Sequence, residues 1–296
     1  MTSGNEEGQA FLDYTLKYNP PMDLAVAERN LKEAKQILNQ LGVVFLLGSG
    51  ICLGATRNNA FIPWDDDVDL VSVIGVNGST EDSADIIMKA FTAKGYFVDG
   101  IDGIHSKTRM TIKDNVRLSV EFLRIADEHV YAYPGIRLPS ILFTNPKEID
   151  FLGEKFLVPN PPEEYLRLKY GEHWMVPKKA GAYEKDVVEK ISEVNLVGRP
   201  CRLRVLSDKG EPIQNAEVVL VAGGRSQTNE QGYAEIILPG RDWYALVIRY
   251  PGHEQVLYME QMEPDKTYVY RSDAASNAVK SVSGETGTLG NILLLE

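Results

Sequence analysis

The sequence has few cysteines and no long apolar run, and these absences exclude several classes of protein. Its two cysteines, Cys52 and Cys201, lie too far apart to form a disulfide framework or the ligand spacing of a zinc site. No stretch reaches the ~18 to 20 apolar residues of a membrane-spanning helix, and the N-terminus lacks the basic and apolar regions of a secretion signal. We therefore expect a cytoplasmic protein with buried free thiols and no membrane span.

An excess of positive charge is also missing. Lys and Arg number 31 against 42 Asp and Glu, which gives a formal charge of −11. A protein that binds a long phosphate polymer needs a basic surface, so nucleic acid is not predicted as a partner. A small nucleotide remains compatible, because a metal ion and a few local basic groups can neutralise its phosphates.

The spacing of apolar residues in 1–198 predicts a mixed sheet with helices. Apolar residues recur every three or four positions from Asp23 to Gly42, as in an amphipathic helix. Apolar or β-branched runs that stop at turn residues predict strands. The remaining predicted helices are 51–58, 83–94 and one that starts at Pro162, and the predicted strands are 43–47, 67–74, 108–113, 117–125 and a pair that meets at Gly153. The fold class is therefore α+β.

From Arg199 onward the pattern changes to short apolar strands separated by glycine-containing turns. Such spacing without helices predicts a small β-sandwich over 199–272. Residues 273–296 have little to bury, so we expect a flexible or partly paired tail in which 292–295 can form a last strand. The predicted organisation is a first domain over 1–198, a β-sandwich and a tail.

Acidic residues concentrate between Trp64 and Leu70. Side chains alternate between the two faces of a strand, so Asp67 and Asp69 share one face. Two carboxylates this close together on one face of a strand repel each other unless a cation lies between them. Oxygen ligands of this kind suit Mg²⁺ or Mn²⁺. Glu121 interrupts an apolar strand and is the candidate for a third ligand. The alternatives are a solvated acidic run and, for Glu121, an edge position that faces water.

Gly48, Ser49 and Gly50 lie between a predicted strand and a predicted helix. At such a junction the backbone N–H groups at the start of the helix point toward a bound phosphate. Glycines also simply end strands, so this signal is weak alone. It gains weight because a strand with Asp67 and Asp69 follows the helix.

Residues 48–69 resemble the signature of the LicD/fukutin-related family. That family reads Gly-Thr-Leu-Leu-Gly-Ala-x-Arg, a spacer, and Phe-Ile-Pro-Trp-Asp-Asp-Asp-Ile-Asp, and this chain has Phe-Ile-Pro-Trp-Asp-Asp-Asp-Val-Asp at 61–69. A second block at 162–177, with Tyr-Gly-Glu-His-Trp, is similar to the closing Tyr-Gly-Asp-x-Trp element of the family. Two blocks in the same order make a chance match improbable. One departure is Ile51, which stands where the family has Thr.

The resemblance implies a nucleotidyltransferase fold and a phosphotransferase that moves phosphocholine or a polyol phosphate from a CDP-linked donor to a glycan. It implies Mg²⁺ or Mn²⁺ as cofactor. By position, the metal ligands and catalytic residues would be Asp67, Asp69 and Glu121. The donor-binding residues would be Gly48, Ser49, Gly50 and Arg57.

Other residues near the motifs admit two interpretations. Arg57 either contacts phosphate or caps its helix, and Asp65 and Asp66 either orient the ligands or are solvated. Trp64 is expected to pack beneath the acidic segment, with base stacking as the lesser alternative, and His173 is expected to pack in the core beside Trp174. Three basic residues near the Glu121 strand are expected to be solvated rather than bound to phosphate: Lys107, Arg109 and Arg117.

Two other functions are open at this stage. The first is nucleotidyl transfer, in which the NMP part of the donor moves and pyrophosphate leaves. The second is a non-catalytic glycan- or protein-binding protein, against which the clustered acids argue because they destabilise a fold without a metal. The region from Gly210 to Val247 resembles carboxypeptidase-regulatory-like, transthyretin-like β-sandwiches, which as a rule are not catalytic.

Overall fold

The computed structural model describes residues 2–103, 105–178, 185–272, 287–288 and 292–296. The chain forms two compact units, one of Met1–Thr15 with Pro20–Pro177 and one of Leu16–Asn19 with Lys178–Glu296. Most of the predicted tail at 273–296 lies outside the described residues. The domain boundaries at 198 and 272 stay predictions.

Helices and a mixed sheet form the part of the chain up to Tyr170. Its helices are α1 (Thr2–Tyr18), α2 (Leu24–Gln40), α3 (Ser49–Asn58), α4 (Ser83–Ala93), α5 (Ile141–Thr144) and α6 (Pro162–Tyr170). Its strands are β1 (Leu46–Leu47), β2 (Asp67–Val73), β3 (Phe97–Asp102), β4 (Ser106–Lys113), β5 (Val116–Leu123), β6 (Ile125–Ala126), β7 (His129–Ala132), β8 (Ile136–Pro139), β9 (Lys147–Phe151) and β10 (Glu154–Val158).

The amphipathic helix α2 shows how the sequence determines this unit locally. The central part of its apolar stripe, which includes Leu31 and Leu38, is fully buried, whereas Leu24 at its start is exposed. The Asp23 carboxylate accepts hydrogen bonds from the amides of residues 25 and 26 at 2.9 and 3.1 Å, so it caps the helix as predicted. Gly42 follows with φ +69°, a conformation that glycine adopts without strain. The helix therefore has defined ends and one buried face.

The main sheet of the first unit has the strand order β1-β2-β5-β4-β3. β2 and β5 are parallel, whereas the other neighbouring strands are antiparallel. The parallel register sets Asp67 beside Arg117 and Asp69 beside Ser119. The predicted hairpin of β4 and β5 is present, and the α+β prediction is confirmed.

The second unit is rich in strands. After α7 (Lys185–Val188) come β11 (Arg199–Leu206), β12 (Glu217–Leu220), β13 (Arg225–Gln227), β14 (Tyr233–Leu238), β15 (Asp242–Tyr250), β16 (His253–Met262), β17 (Thr267–Arg271), β18 (Gly287–Thr288) and β19 (Leu294–Leu295). They form two sheets, of order β14-β11-β17-β19 and β13-β12-β15-β16-β18. One hydrophobic core takes side chains from both sheets, for example Leu203 and Leu246, so the predicted β-sandwich architecture is present.

Some elements were not predicted, and α1 shows why. It contains Gly4 and Gly8, which weaken the helical signal in the sequence. A Cβ at Gly8 would lie 2.4 Å from the Phe97 ring, so a close tertiary contact explains this glycine. Strands β3 and β6–β8 were also not predicted.

In the described part of the chain, no helix combines the length and apolarity that crossing a membrane requires.

Candidate active site

Hydrogen bonds from two directions fix the turn between β1 and α3. The Gly48 amide donates to the Asp69 carbonyl oxygen at 2.9 Å, which joins the turn to β2. Ser49 has φ +36°, which is uncommon for a residue with a Cβ, and its amide donates to the Tyr165 hydroxyl at 3.0 Å. Because Tyr165 belongs to α6, the second sequence block helps to hold the turn.

Gly50, in the first turn of α3, lies directly against the Asp65 carboxylate. A Cβ at this position would lie 2.4 Å from Asp65 Oδ2, so a larger residue would displace the acid. The partial positive charge at a helix N-terminus favours a carboxylate there. The Asp65 main chain is also fixed, since its carbonyl oxygen accepts the Met22 amide at 2.8 Å. A phosphate bound at this turn would therefore need a cation beside Asp65.

Three consecutive carboxylates form the candidate metal group. Asp65, Asp66 and Asp67 each place one oxygen within 4.8 Å of the other two. Carboxylate oxygens grouped in this way suit Mg²⁺ or Mn²⁺. Within the described ranges, neither Asp69 nor Glu121 joins a group at that spacing. Asp65 and Asp66, which were expected either to orient the ligands or to be solvated, share this spacing with Asp67.

Arg117 on β5 holds two of these acids. Its Nη2 lies 2.6 Å from Asp66 Oδ2 and its Nε lies 2.9 Å from Asp67 Oδ2. Its side chain is 3% exposed, so the expectation that Arg117 is solvated is wrong. Burial alone would lower the pKa of Arg117, but the charges of Asp67 and Asp66 outweigh it and raise that pKa. Arg117 therefore stays charged between the two carboxylates.

The remaining negative charge at the site is poorly compensated. Burial, and after it the charge of Asp67, raises the pKa of the Asp65 carboxyl well above its ordinary value. The pKa values of Asp66 and Asp69 are raised for the same two reasons, in the same order. One arginine thus does not neutralise the group. A bound divalent cation would favour the ionised form of every one of these acids.

The sheet brings Asp67, Asp69 and Glu121 to one face. Val71 is the Cα partner of Glu121, and residues 67, 69 and 71 alternate with buried apolar neighbours along β2. The charge of Glu121 contributes to the raised pKa of Asp69, after burial and Asp67, so it acts on the same site. Asp67, Asp69 and Glu121 are all partly buried. Their face is the one that a substrate and a metal would share.

Arg57 is not brought to the carboxylates. It lies eight residues beyond Ser49 on α3, about 12 Å along the helix axis. Its Nε donates to Asn58 Oδ1 at 2.7 Å and its Nη1 to the Trp174 carbonyl oxygen at 3.4 Å. Arg57 therefore contacts the second sequence block, and its predicted role in donor binding stays a prediction.

Three further expectations are corrected by burial. Trp64 is 37% exposed, so it does not pack beneath the acidic segment. His173 is exposed rather than packed in the core. Arg109 is only 3% exposed and pairs with Asp85 and Asp102 at 2.9 and 2.7 Å, so it is not solvated. A side chain next to a predicted strand can be buried by a neighbour distant in sequence, which local patterns do not reveal. Lys107, the third of the basic residues, pairs with Glu81 at 3.3 Å.

Residues 42–161 match the family model described as LicD/FKTN/FKRP, nucleotidyltransferase domain. This segment is therefore similar to the domain of that family. It contains the turn at Ser49, the acidic group and Glu121, so the predicted resemblance is confirmed on the residues that build the site. The match supports the predicted nucleotidyltransferase-like fold for this segment, and the strand-rich second unit is compatible with the predicted accessory β-sandwich.

Curated relatives of the chain include ribitol-5-phosphate transferases. The human protein Ribitol-5-phosphate transferase FKTN is 29% identical over 195 residues, which cover 61% of this chain and 40% of the relative. The mouse protein of the same name is 28% identical over 190 residues, covering 59% of this chain and 39% of the relative. The chain thus spans about 40% of the length of these relatives.

Two solved structures are similar to part of the chain. One is ANT(2″)-Ia in complex with adenylyl-2″-tobramycin, with TM-score 0.33 and 13% identity, covering 45% of this chain and 68% of that one. The other is a cytoplasmic RNA terminal U-transferase, with TM-score 0.26 and 10% identity, covering 41% and 35%.

Proposed function

We propose that the protein transfers a phospho-alcohol, of the phosphocholine or ribitol-phosphate type, from a CDP-linked donor to a glycan hydroxyl. The observation that carries this proposal is the acidic group next to the Ser49 turn inside the segment that matches the LicD family model. A phosphate-binding helix start and a cluster of carboxylates are the two parts that metal-assisted phosphoryl transfer needs. The name of the FKTN relatives supports a polyol phosphate as the transferred group.

The carboxylates fit a divalent cation. Burial, and after it the charge of Asp67, raises the pKa values of Asp65, Asp66 and Asp69, and Arg117 is already bound to Asp66 and Asp67. We assign the ion to Asp67, which belongs to the close group with Asp65 and Asp66, and to Asp69 and Glu121 on the same face of the sheet. A bound Mg²⁺ or Mn²⁺ would neutralise charge on the donor diphosphate.

The protein's own groups then have separate tasks. The Ser49 amide is engaged by Tyr165, so we assign its hydroxyl, together with the Gly50 amide, to the donor phosphates. Asp69 or Glu121 accepts the proton of the acceptor hydroxyl as that oxygen attacks phosphorus in line. A new phosphoester bond forms, the bond to the leaving phosphate breaks, and CMP departs. Preventing water from attacking instead requires a closed site around the donor.

Nucleotidyl transfer is the second candidate, because the matching family model is described as a nucleotidyltransferase domain. The same acids and the same turn would serve that reaction. It differs in the bond that breaks, since pyrophosphate would leave and NMP would be transferred.

The products distinguish the two reactions. We would incubate the protein with Mg²⁺, glycan acceptors and either CDP-ribitol, CDP-choline or a nucleoside triphosphate, and quantify CMP and pyrophosphate. The proposal predicts CMP from a CDP-alcohol, dependent on Mg²⁺ and on acceptor. Pyrophosphate from a nucleoside triphosphate without CMP from any CDP-alcohol would replace the proposal with nucleotidyl transfer.

A further inference from the structure

Helix α6 presents one face to the candidate site. It packs against α3, and its Tyr165, which is 2% exposed, accepts the Ser49 amide at 3.0 Å. Residues four apart on a helix lie on the same face, one turn above each other. Lys169 is four residues beyond Tyr165, so its side chain starts from the face that holds the Ser49 turn.

The turn that Tyr165 holds lies directly beside the acids. The Gly48 amide of this turn donates to the Asp69 carbonyl oxygen at 2.9 Å, and a Cβ at Gly50 would lie 2.4 Å from Asp65 Oδ2. Lys169 is one helical turn, about 5.4 Å, beyond Tyr165 on the same face, so it lies on the side of α6 that faces this turn. Its positive charge also lowers the pKa of Cys52 on α3, against the larger effect of burial.

Lys169 also differs from the other cations nearby. Arg117 is committed, because Nε and Nη2 are bound to Asp67 and Asp66. Arg167 is bound at 2.7 to 2.8 Å by Glu164 and Glu172. For Lys169, by contrast, the described residues provide no hydrogen bond and no ion pair within 4.0 Å. A half-buried ammonium beside acids, yet bound to none of them, is available to a ligand.

We infer that Lys169 binds the diphosphate of the activated donor, on the side of the site formed by α6. This inference rests on the proposed function, and it adds a residue that the acidic motif does not contain. The acids repel a diphosphate, so a cation in addition to the metal ion is needed near Asp69. A lysine on a flexible stem acts as a movable point charge and suits phosphate oxygens.

A purely structural role is the competing explanation. In that case Lys169 would only help to hold the turn and the acids in position, and its loss would weaken the binding of Mg²⁺ added alone. Binding of phosphate therefore has to be measured separately from binding of Mg²⁺. Cytidine provides the second reference, because it carries the base and ribose of CDP without phosphate.

The test is calorimetric titration of the full chain with Mg²⁺ alone, magnesium pyrophosphate, CDP with Mg²⁺, and cytidine. Lys169→Gln should weaken pyrophosphate and CDP binding by about tenfold or more, since a charge-assisted contact is lost. Its binding of Mg²⁺ alone should be equal to or tighter than that of the wild type, because a positive charge near the acids is removed, and its binding of cytidine should be unchanged. Lys169→Arg should keep most of the affinity for pyrophosphate. Arg167→Gln is the matched control, because it removes the same charge from another face of α6, and it should bind like the wild type.

Several outcomes would overturn the inference. Unchanged pyrophosphate binding by Lys169→Gln would exclude a phosphate contact while leaving the proposed function intact. Loss of affinity for Mg²⁺ alone would establish the structural role instead. If Lys169→Gln does not melt cooperatively, Lys169→Met and Lys169→Arg provide the same comparison, and equal pyrophosphate affinity in those two would exclude the inference. A wild-type protein that binds neither pyrophosphate nor CDP with Mg²⁺ would remove both the inference and the proposed function.

Discussion

Buried or partly buried carboxylates occur in both units, but their surroundings differ. Glu260 in the β-sandwich is 1% exposed, and its two oxygens accept the amides of Ile292 and Leu293 at 2.9 and 3.1 Å. Asp69 in the first unit lies among other carboxylates, and burial, followed by the charge of Asp67, raises its pKa. Backbone donors satisfy the single acid of the sandwich, whereas the acids of the first unit lie close enough to repel one another even though Arg117 binds Asp66 and Asp67. An isolated buried acid with its own donors indicates a structural role, and a group of acids that repel one another indicates a binding site.

The largest expected effect follows from removing a charge of the first unit. Asp69→Asn should reduce CMP release by at least about 100-fold, because a ligand of the metal or the base is lost. Its free energy of unfolding without Mg²⁺ should not fall, since the substitution removes a repelled charge. Activity assays and urea unfolding with and without Mg²⁺ measure both. An Asp69→Asn variant with full Mg²⁺-dependent activity would contradict the assignment of Asp69 to a binding site.

Arg117→Met should give the largest loss of stability. Removing one partner of a buried ion pair leaves charges uncompensated and costs about 3 to 5 kcal/mol. The variant leaves Asp66 and Asp67 without their arginine, so Mg²⁺ should restore more stability to it than it adds to the wild type. Denaturant unfolding with and without Mg²⁺ tests this. Equal effects of Mg²⁺ on the two proteins would show that the ion does not bind at these acids.

The position of Arg117 also shows which contacts the sequence does not predict. Asp67 and Asp69 share a face because strand periodicity is local, and α2 with its cap follows from its own residues. The pairing of Asp67 with Arg117 joins residues 50 positions apart through a parallel register that local patterns do not contain. The contact of Ser49 with Tyr165 spans 116 positions. Sequence reasoning therefore predicted the acids and the turn but missed the side chains that hold them.

Glu260→Gln tests the structural acid and should have a moderate effect. The pKa of Glu260 is raised by burial to about 8, against 4.5 ordinarily, although the amides of Ile292 and Leu293 lower it. Because the folded pKa is the higher one, the contribution to stability is complete below about pH 4.5 and is lost as the pH rises toward 8. The variant should lack this decline.

At pH 5 the side-chain amide introduced by Glu260→Gln presents N–H to one of the two backbone donors, so the loss should be about 1 to 3 kcal/mol. Urea unfolding of the wild type and of the variant at pH 5 and pH 8.5 gives the difference, and activity should not change. A variant that shows the same decline with pH as the wild type would mean that Glu260 does not titrate in this range.

The smallest expected effect on stability comes from Tyr165→Phe in the first unit. This variant tests whether the Tyr165 hydroxyl positions the Ser49 turn or contributes only to stability. Tyr165→Phe keeps the ring in its buried place but removes the acceptor of the Ser49 amide, so it should cost only about 1 kcal/mol of unfolding free energy. Tyr96→Phe is the matched control, because Tyr96 is also buried and its hydroxyl donates to Glu33 at 2.8 Å, away from the acidic group.

If the Tyr165 hydroxyl holds the turn in position for the donor, Tyr165→Phe should raise KM for the donor or lower kcat by about tenfold, whereas Tyr96→Phe should leave both unchanged. Equal stability losses with equal activities in the two variants would show that the hydroxyl contributes to stability alone, and that the Ser49 turn keeps its geometry without this hydrogen bond.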